Sequence, residues 1–180
     1  MATKTHSVIV PGCGFDSIPS DLSAYLSVRT LKQTLGPDVE TARSVTAHKL
    51  KWNIVSGGTL TSLYTYLETF PRQKLITALQ DHSLSPASGA ASPPTKILYS
   101  MPYVTPRIVG SFFFMGPMNR GIVLRTRGLL ESNPSMQSLR YGPEFNYEEF
   151  LVVPNRLAAV FLSLVFFTFG ICLGASSSVR

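Results

Sequence analysis

The run Val10-Pro11-Gly12-Cys13-Gly14-Phe15-Asp16-Ser17-Ile18-Pro19-Ser20-Asp21-Leu22 decides how this chain is read. Val8, Ile9 and Val10 form a short apolar stretch stopped by Pro11-Gly12, the pattern of a buried strand. On the other side, Ser17 stands where a helix cap belongs, Pro19 suits a first turn, and Asp21 suits the positive end of a helix dipole. Leu22, Tyr25, Leu26 and Arg29 then recur at helical spacing until Gly36-Pro37. The glycine loop between strand and helix has two local readings. It is a tight turn, or it is a backbone cradle at a helix N-terminus, which favours anions. It is not a dinucleotide fingerprint, because Ser17 occupies the place of the third glycine. Cys13 reads as a buried structural cysteine, since no histidine is fixed beside it.

Downstream, residues 39–55 read as extended, rich in Val and Thr. Ser56-Gly57-Gly58-Thr59 breaks that segment, and Leu60, Leu63, Tyr64 and Leu67 then predict a helix. Pro71 ends it and starts a second short helix through Leu79. Residues 83–95 carry no charge and read as a flexible loop. A strand is expected over 97–104. The pattern in 118–130 predicts a helix with Met118, Ile122, Val123, Leu129 and Leu130 toward the core and Arg120 and Arg127 together on the opposite side, either as a solvated basic edge or aimed at an anionic ligand. In 144–153, Phe145, Tyr147, Glu149, Leu151 and Val153 alternate onto one side of a strand.

Composition narrows the function classes. The chain has 180 residues, 44% hydrophobic and only 14% charged, with a net charge of +6. That supports a packed core and excludes wholesale disorder. Two cysteines exclude a disulfide scaffold, and three scattered histidines argue against a metal centre. Residues 96–140 hold six basic groups and one acidic group, a candidate lining for an anionic site. They form no Lys/Arg-rich run and no RRM, KH or zinc-finger signature, so nucleic acid is not an expected partner. No secretory signal leads the chain, and Pro134 spoils the one glycosylation-like site at Asn133, so an intracellular location is expected.

Leu157–Gly174 is an uncharged apolar run, and the absence of charge extends from Arg156 to Arg180. As a helix it would reach roughly 27 Å, close to a bilayer's hydrocarbon thickness. Three readings compete for it: a membrane span, a segment inserted in a lipid monolayer, and a core helix of a larger protein. Residues 154–180 are therefore set apart as a hydrophobic, membrane- or lipid-associated helix.

The opening run closely resembles the saccharopine dehydrogenase-like oxidoreductases, a group that includes the trans-acting enoyl reductases. Three further stretches match in order: Ser56-Gly57-Gly58-Thr59-Leu60-Thr61-Ser62, Gly116-Pro117-Met118-Asn119-Arg120-Gly121-Ile122-Val123-Leu124-Arg125, and Tyr141-Gly142-Pro143-Glu144-Phe145-Asn146-Tyr147-Glu148-Glu149-Phe150. The resemblance implies an α/β protein, here an α+β-like fragment. Residues 1–16 would be the remnant of an NAD(P)-binding Rossmann domain, ending in its last strand. Residues 17–153 would be a mixed-sheet substrate domain. Gly12, Gly14, Phe15, Asp16, Ser17, Pro19 and Asp21 would lie beside the nicotinamide of the cofactor. Ser56, Gly57, Gly58 and Thr59 would line the substrate side, and Asn119, Arg120 and Arg125 would meet an anionic group. No catalytic acid or base is assigned, and no metal is implied. The expected activity is NAD(P)H-dependent hydride transfer to an apolar or lipid-like substrate in lipid or glycolipid metabolism, at a membrane or lipid droplet. The competing reading is a non-catalytic scaffold that keeps the fold at a lipid surface. Homodimerisation is left open.

Overall fold

The structure, a computed structural model, describes residues 2–8, 14, 17–49 and 57–176. The elements in chain order are α1 (Ala2–Thr5), α2 (Ile18–Leu35), β1 (Arg43–His48), α3 (Gly57–Thr69), α4 (Arg72–Ala78), β2 (Leu98–Ser100), β3 (Val109–Ser111), α5 (Gly116–Ser132), a 3-10 turn (Pro134–Leu139), β4 (Asn146–Val152) and α6 (Arg156–Ser176). The four strands form one mixed sheet in the order β1-β4-β3-β2. β1 runs parallel to β4, with Thr46 opposite Glu149 and His48 opposite Leu151. β3 is antiparallel to both β4 and β2. The α/β class is as the sequence implies.

The expected helices form, and α2 ends where Gly36 takes a positive φ of 117° that a side chain would resist. Val8 of the expected first strand lies outside the sheet and is exposed; Ile9 and Val10 fall outside the described residues. Only 43–48 of the 39–55 segment is seen as strand, and 50–56 are not described. The strand expected over 97–104 contracts to Leu98–Ser100.

The core lies between the sheet and the pair α2 and α5. Ala24 and Val28 of α2, Val123 and Leu124 of α5, and Tyr141, Phe145 and Tyr147 make one buried cluster. Fully burying side chains of this size stabilises by about 1.5–3 kcal/mol each, so this cluster is a main source of the fold's stability.

Three expectations are corrected here. First, α5 keeps Val123 in the core and Leu130 packed against it as expected, but the rest of its buried arc differs. Asn119, Val123, Leu124 and Arg127 face inward, while Met118 and Leu129 are about half exposed. The buried face is polar at both ends because partners wait there. Arg127, 3% exposed, reaches the carbonyls of Ser88, Gly142 and Pro143. The hydrophobic wheel weighs residues by polarity alone and has no access to such partners. Second, β4 is covered on both faces rather than one: Tyr147 and Glu149 are buried, and so are Glu148 and Phe150. Phe150 stacks on Tyr99, while Arg43 and Lys96 both pair with Glu148. Burial and the nearby Arg43 guanidinium lower the Lys96 pKa. Third, the 83–95 segment is a loop but is not free. Asp81 accepts from the Ser92 amide at 2.7 Å, and Arg127 holds Ser88.

α6 packs across β2 and β3. Ala159 and Ser163 are fully buried, Ser163 Oγ donates to the Ile97 carbonyl at 2.6 Å, and it accepts from the Phe112 amide at 2.8 Å. Phe112 stacks with Phe167, and Phe114 leans on Phe166. One side of the helix is thus committed to the sheet. Among the described residues, no helix is long and apolar enough to cross a membrane.

Close packing of β3 on β4 needs Gly110. A Cβ there would meet the Phe150 ring and sit 2.5 Å from the Leu151 carbonyl oxygen. Gly110→Ala is expected to lower stability by about 1–3 kcal/mol, the range for overpacking, measurable as an earlier urea midpoint with an unchanged slope. An unaltered midpoint would show that β3 does not sit this close to β4.

Candidate functional site

The first turns of α2 and α5 converge on the parallel pair β1 and β4 near the middle of β4. At the centre is Glu149, whose side chain is 1% exposed. Its Oε2 accepts from Ser20 Oγ at 2.7 Å and from Tyr147 OH at 2.8 Å, and lies 3.0 Å from His48 Nε2. Its Oε1 accepts from Asn119 Nδ2 at 2.8 Å. Asn119 Oδ1 in turn accepts from Ser17 Oγ at 2.9 Å. The network spans four segments of the fold, from Ser17 at the head of α2 to Glu149 in β4.

Each member is placed by local chemistry. Ser17 does not cap α2 with its side chain as expected; its hydroxyl turns to Asn119 instead. Ser20 lies one turn into α2, and Asn119 lies in the first turn of α5. Both helices direct the positive ends of their dipoles toward the carboxylate region. Tyr147 and Glu149 are two apart on β4 and so share a face. Burial and the neighbouring Glu149 raise the Tyr147 pKa well above its ordinary value, so the phenol stays protonated and donates. His48 closes β1, with its ring centroid 5.1 Å from that of Phe113.

A small cavity of about 20 Å³, room for one water, adjoins this network. Tyr99, Phe112, Phe113, Arg120, Tyr147 and Glu149 are among its walls. Pro93 and Thr95 from the pinned loop also line it.

Of the residues expected from sequence, the structure brings together Ser17, Asn119 and Arg120. Arg120 forms an ion pair with Asp81 at 3.1 Å rather than standing free. Arg125 points elsewhere, to the Leu84 carbonyl at 3.4 Å. Gly14 is exposed, and its carbonyl accepts from the amides of Ser17 and Ile18. Pro19 is the second residue of α2. Asp21 accepts from Thr126 Oγ1 at 2.8 Å through Oδ2, while its Oδ1 is buried without a hydrogen bond. Gly57, Gly58 and Thr59 form the first turn of α3. Gly12, Phe15, Asp16 and Ser56 lie outside the described residues.

Sequence reading missed Glu149, His48, Ser20 and Tyr147 as site residues. The available signal was an acidic residue on the apolar face of a strand, the one position in 145–153 where alternation demanded a carboxylate inside. For the nicotinamide dinucleotide that the resemblance implies, the described residues do not provide a fit. Their polar side chains satisfy one another, and the cavity beside Glu149 is far smaller than a nicotinamide ring needs.

The comparisons with known proteins bear on what this site serves. The chain is 31% identical over 174 residues to a Mycobacterium tuberculosis protein provisionally named as a trans-acting enoyl reductase, covering 91% of this chain and 39% of that protein. It is 29% identical over 177 residues to the trans-acting enoyl reductase of Mycobacterium bovis, covering 90% of this chain and 39% of the relative. The trans-acting enoyl reductase of Mycobacterium ulcerans is 29% identical over 170 residues, 88% of this chain and 38% of the relative. The chain is therefore a distant homologue of trans-acting enoyl reductases and spans about two-fifths of the length of the curated relatives it matches. No family model and no solved structure matches it.

Two outcomes test this geometry. Asn119→Ala removes a donor to Glu149 and the acceptor of Ser17, and it is expected to cost about 1–3 kcal/mol, the penalty for stranded buried polar groups. Chemical denaturation reads it, and a loss near zero would show that the network is not formed. Burial raises the Asp21 pKa, with the Thr126 bond opposing the rise. The folded state then binds the Asp21 proton more tightly than the unfolded state. Stability should fall as pH climbs from the ordinary aspartate range through the raised folded value. Asp21→Asn should flatten that slope and gain stability at neutral pH. A steeper slope in the variant would contradict the burial.

Proposed function

We propose that this chain is the substrate-side unit of an NAD(P)H-dependent reductase of the trans-acting enoyl reductase type. Its substrate would be an α,β-unsaturated acyl group on a lipid-like chain, within lipid or glycolipid metabolism. The observation that carries this reading is the similarity over nine-tenths of the chain to proteins named for that activity. The buried Glu149 hub between β1 and β4 supports it, because it supplies a hydrogen-bonded floor next to aromatic walls. The dinucleotide would be held by a separate unit, corresponding to part of the relatives' length that this chain does not match. The chain's own part is to position the acyl group and exclude water, which is where proximity effects arise. Reduced-nicotinamide oxidation with an enoyl thioester is the test, run on this chain alone and on this chain mixed with the unmatched portion of the Mycobacterium bovis relative. Turnover is expected only in the mixture. A folded, associated mixture that leaves the reduced cofactor unconsumed would sink the reading.

A second reading is favoured by α6. Leu157, Val160, Phe161, Leu164, Val165, Phe169 and Ile171 are exposed on the helix, an apolar band far larger than isolated surface residues explain. Here α6 would lie in a lipid monolayer at a membrane or lipid droplet inside the cell, with the fold as an attached scaffold. The band would bury its side chains among acyl tails while the opposite side stays on the sheet. Vesicle flotation should carry the wild-type chain upward and leave Phe161→Glu/Leu164→Glu at the bottom. Equal flotation of both proteins would rule out this docking.

A further inference from the structure

The loop between β2 and β3 and the start of α6 meet at one end of the sheet. The Met101 amide donates to the Ile108 carbonyl at 2.9 Å and closes the loop over 102–107. Next to that closure, the Val153 amide donates to the Val109 carbonyl at 3.2 Å. Arg107 stands two residues before Val109, and Arg156 opens α6 three residues after Val153. From there α6 runs to the open end of the hairpin, where Ser163 bonds to Ile97 and Phe112. The apolar band of α6 therefore begins, with Leu157 and Phe161, at the end where the loop projects. Residues 102–107 are all exposed, and Tyr103 is fully so. Tyr103 also takes a φ of 58°, a left-handed conformation that is unfavourable for a bulky residue. A strained backbone thus holds an aromatic ring out in solvent.

The charge at this end is of one sign. Residues 82–130 and 150–180 contain no Asp or Glu. Within 96–156, Lys96, Arg120 and Arg140 pair with carboxylates, and Arg125 and Arg127 bond to backbone carbonyls. Among the described residues, Arg107 and Arg156 have neither kind of partner, and both are exposed. A small soluble anion would engage these two arginines but leave Tyr103, Leu157 and Phe161 in water. Negative headgroups over acyl chains satisfy both sets of groups at once, and tyrosine favours that boundary.

We propose that the loop 102–107 and the start of α6 form one docking surface for a leaflet of anionic phospholipid. Arg107 and Arg156 lie at the level of the headgroup phosphates, and Tyr103, Val104, Leu157 and Phe161 enter the acyl boundary below them. This rests on the monolayer reading of α6 above, and adds to it a headgroup class and a second segment of contact. Each arginine near a negative leaflet strengthens binding about fivefold, and the pair about twenty-five-fold. Salt screens that gain and leaves the apolar contribution in place.

The test is flotation of the full chain with two vesicle preparations, one of phosphatidylcholine alone and one with a third of it replaced by phosphatidylserine. Wild-type chain is expected to bind the second about twenty-five-fold more tightly at low salt, and high salt should bring the two affinities together. Arg107→Gln/Arg156→Gln should keep its binding to phosphatidylcholine and lose most of the preference, with an unchanged circular dichroism spectrum. Tyr103→Asn/Val104→Ser, in which Asn tolerates the left-handed backbone, should weaken binding to both vesicles by about tenfold. A phosphatidylserine preference that survives in the arginine variant overturns the proposal, and so does a loop variant that binds like wild type. Equal binding of wild-type chain to both vesicles at low salt rejects the proposal and leaves the monolayer reading standing. A wild-type chain that floats with neither vesicle rejects the monolayer reading and the proposal with it.

Discussion

A buried carboxylate organises this fold. Glu149 sits in a central strand, where an unpaired charge would be strongly disfavoured. It is tolerated because two helices begin beside it and three side-chain donors and an imidazole surround it. Every partner comes from a different stretch of chain or from the next residue but one. Satisfying Glu149 therefore fixes the approach of α2, the rotation of α5 and the end of β1 at once. The burial of Asn119 on the inward face of α5 follows from the same demand. Turning its leucine and methionine edge inward would carry Asn119 away from Oε1.

On the opposite face of β4, Glu148 repeats the arrangement in a looser form. Arg43 from β1 and Lys96 from the segment before β2 both reach it, and both cations keep a large part of their side chains in solvent. Adjacent glutamates in one strand thus serve different ends. Glu149 is enclosed by neutral donors and a histidine, while Glu148 is paired with partly exposed cations at the rim. Exposed pairs of the second kind add little stability, so the inward carboxylate is the specific one.

Much of the architecture was legible in the sequence because it rests on short-range rules. The start and stop of α2, the two helices split by Pro71, and the existence of α5 follow from turn residues and periodicity. The loop over 83–95 was legible as a loop from its composition, but its anchoring was not, since Arg127 is distant in sequence. The site was half legible. Ser17, Asn119 and Arg120 were found through resemblance, whereas His48, Ser20 and Glu149 were not. Their meaning depends on which strands pair and which helix turn faces which, and that is set by contacts separated by about a hundred residues. The packing of the apolar tail was not legible, because hydropathy alone does not reveal that Ser163 and Phe167 of α6 have partners in the segments around β2 and β3.

Arg127 has a consequence of another kind. It grips the loop only through backbone carbonyls, and Gly89 leaves the space its guanidinium occupies. Carbonyl oxygens are the same in every residue, so this lock does not read side chains. The sequence around Ser88 is free to drift without loosening the wall of the Glu149 cavity, provided that position 89 stays without a Cβ. At Ser88 the constraint thus falls on one glycine and one distant arginine, beside the separate Asp81 anchor at Ser92, and a comparison of relatives should find those two positions changing together.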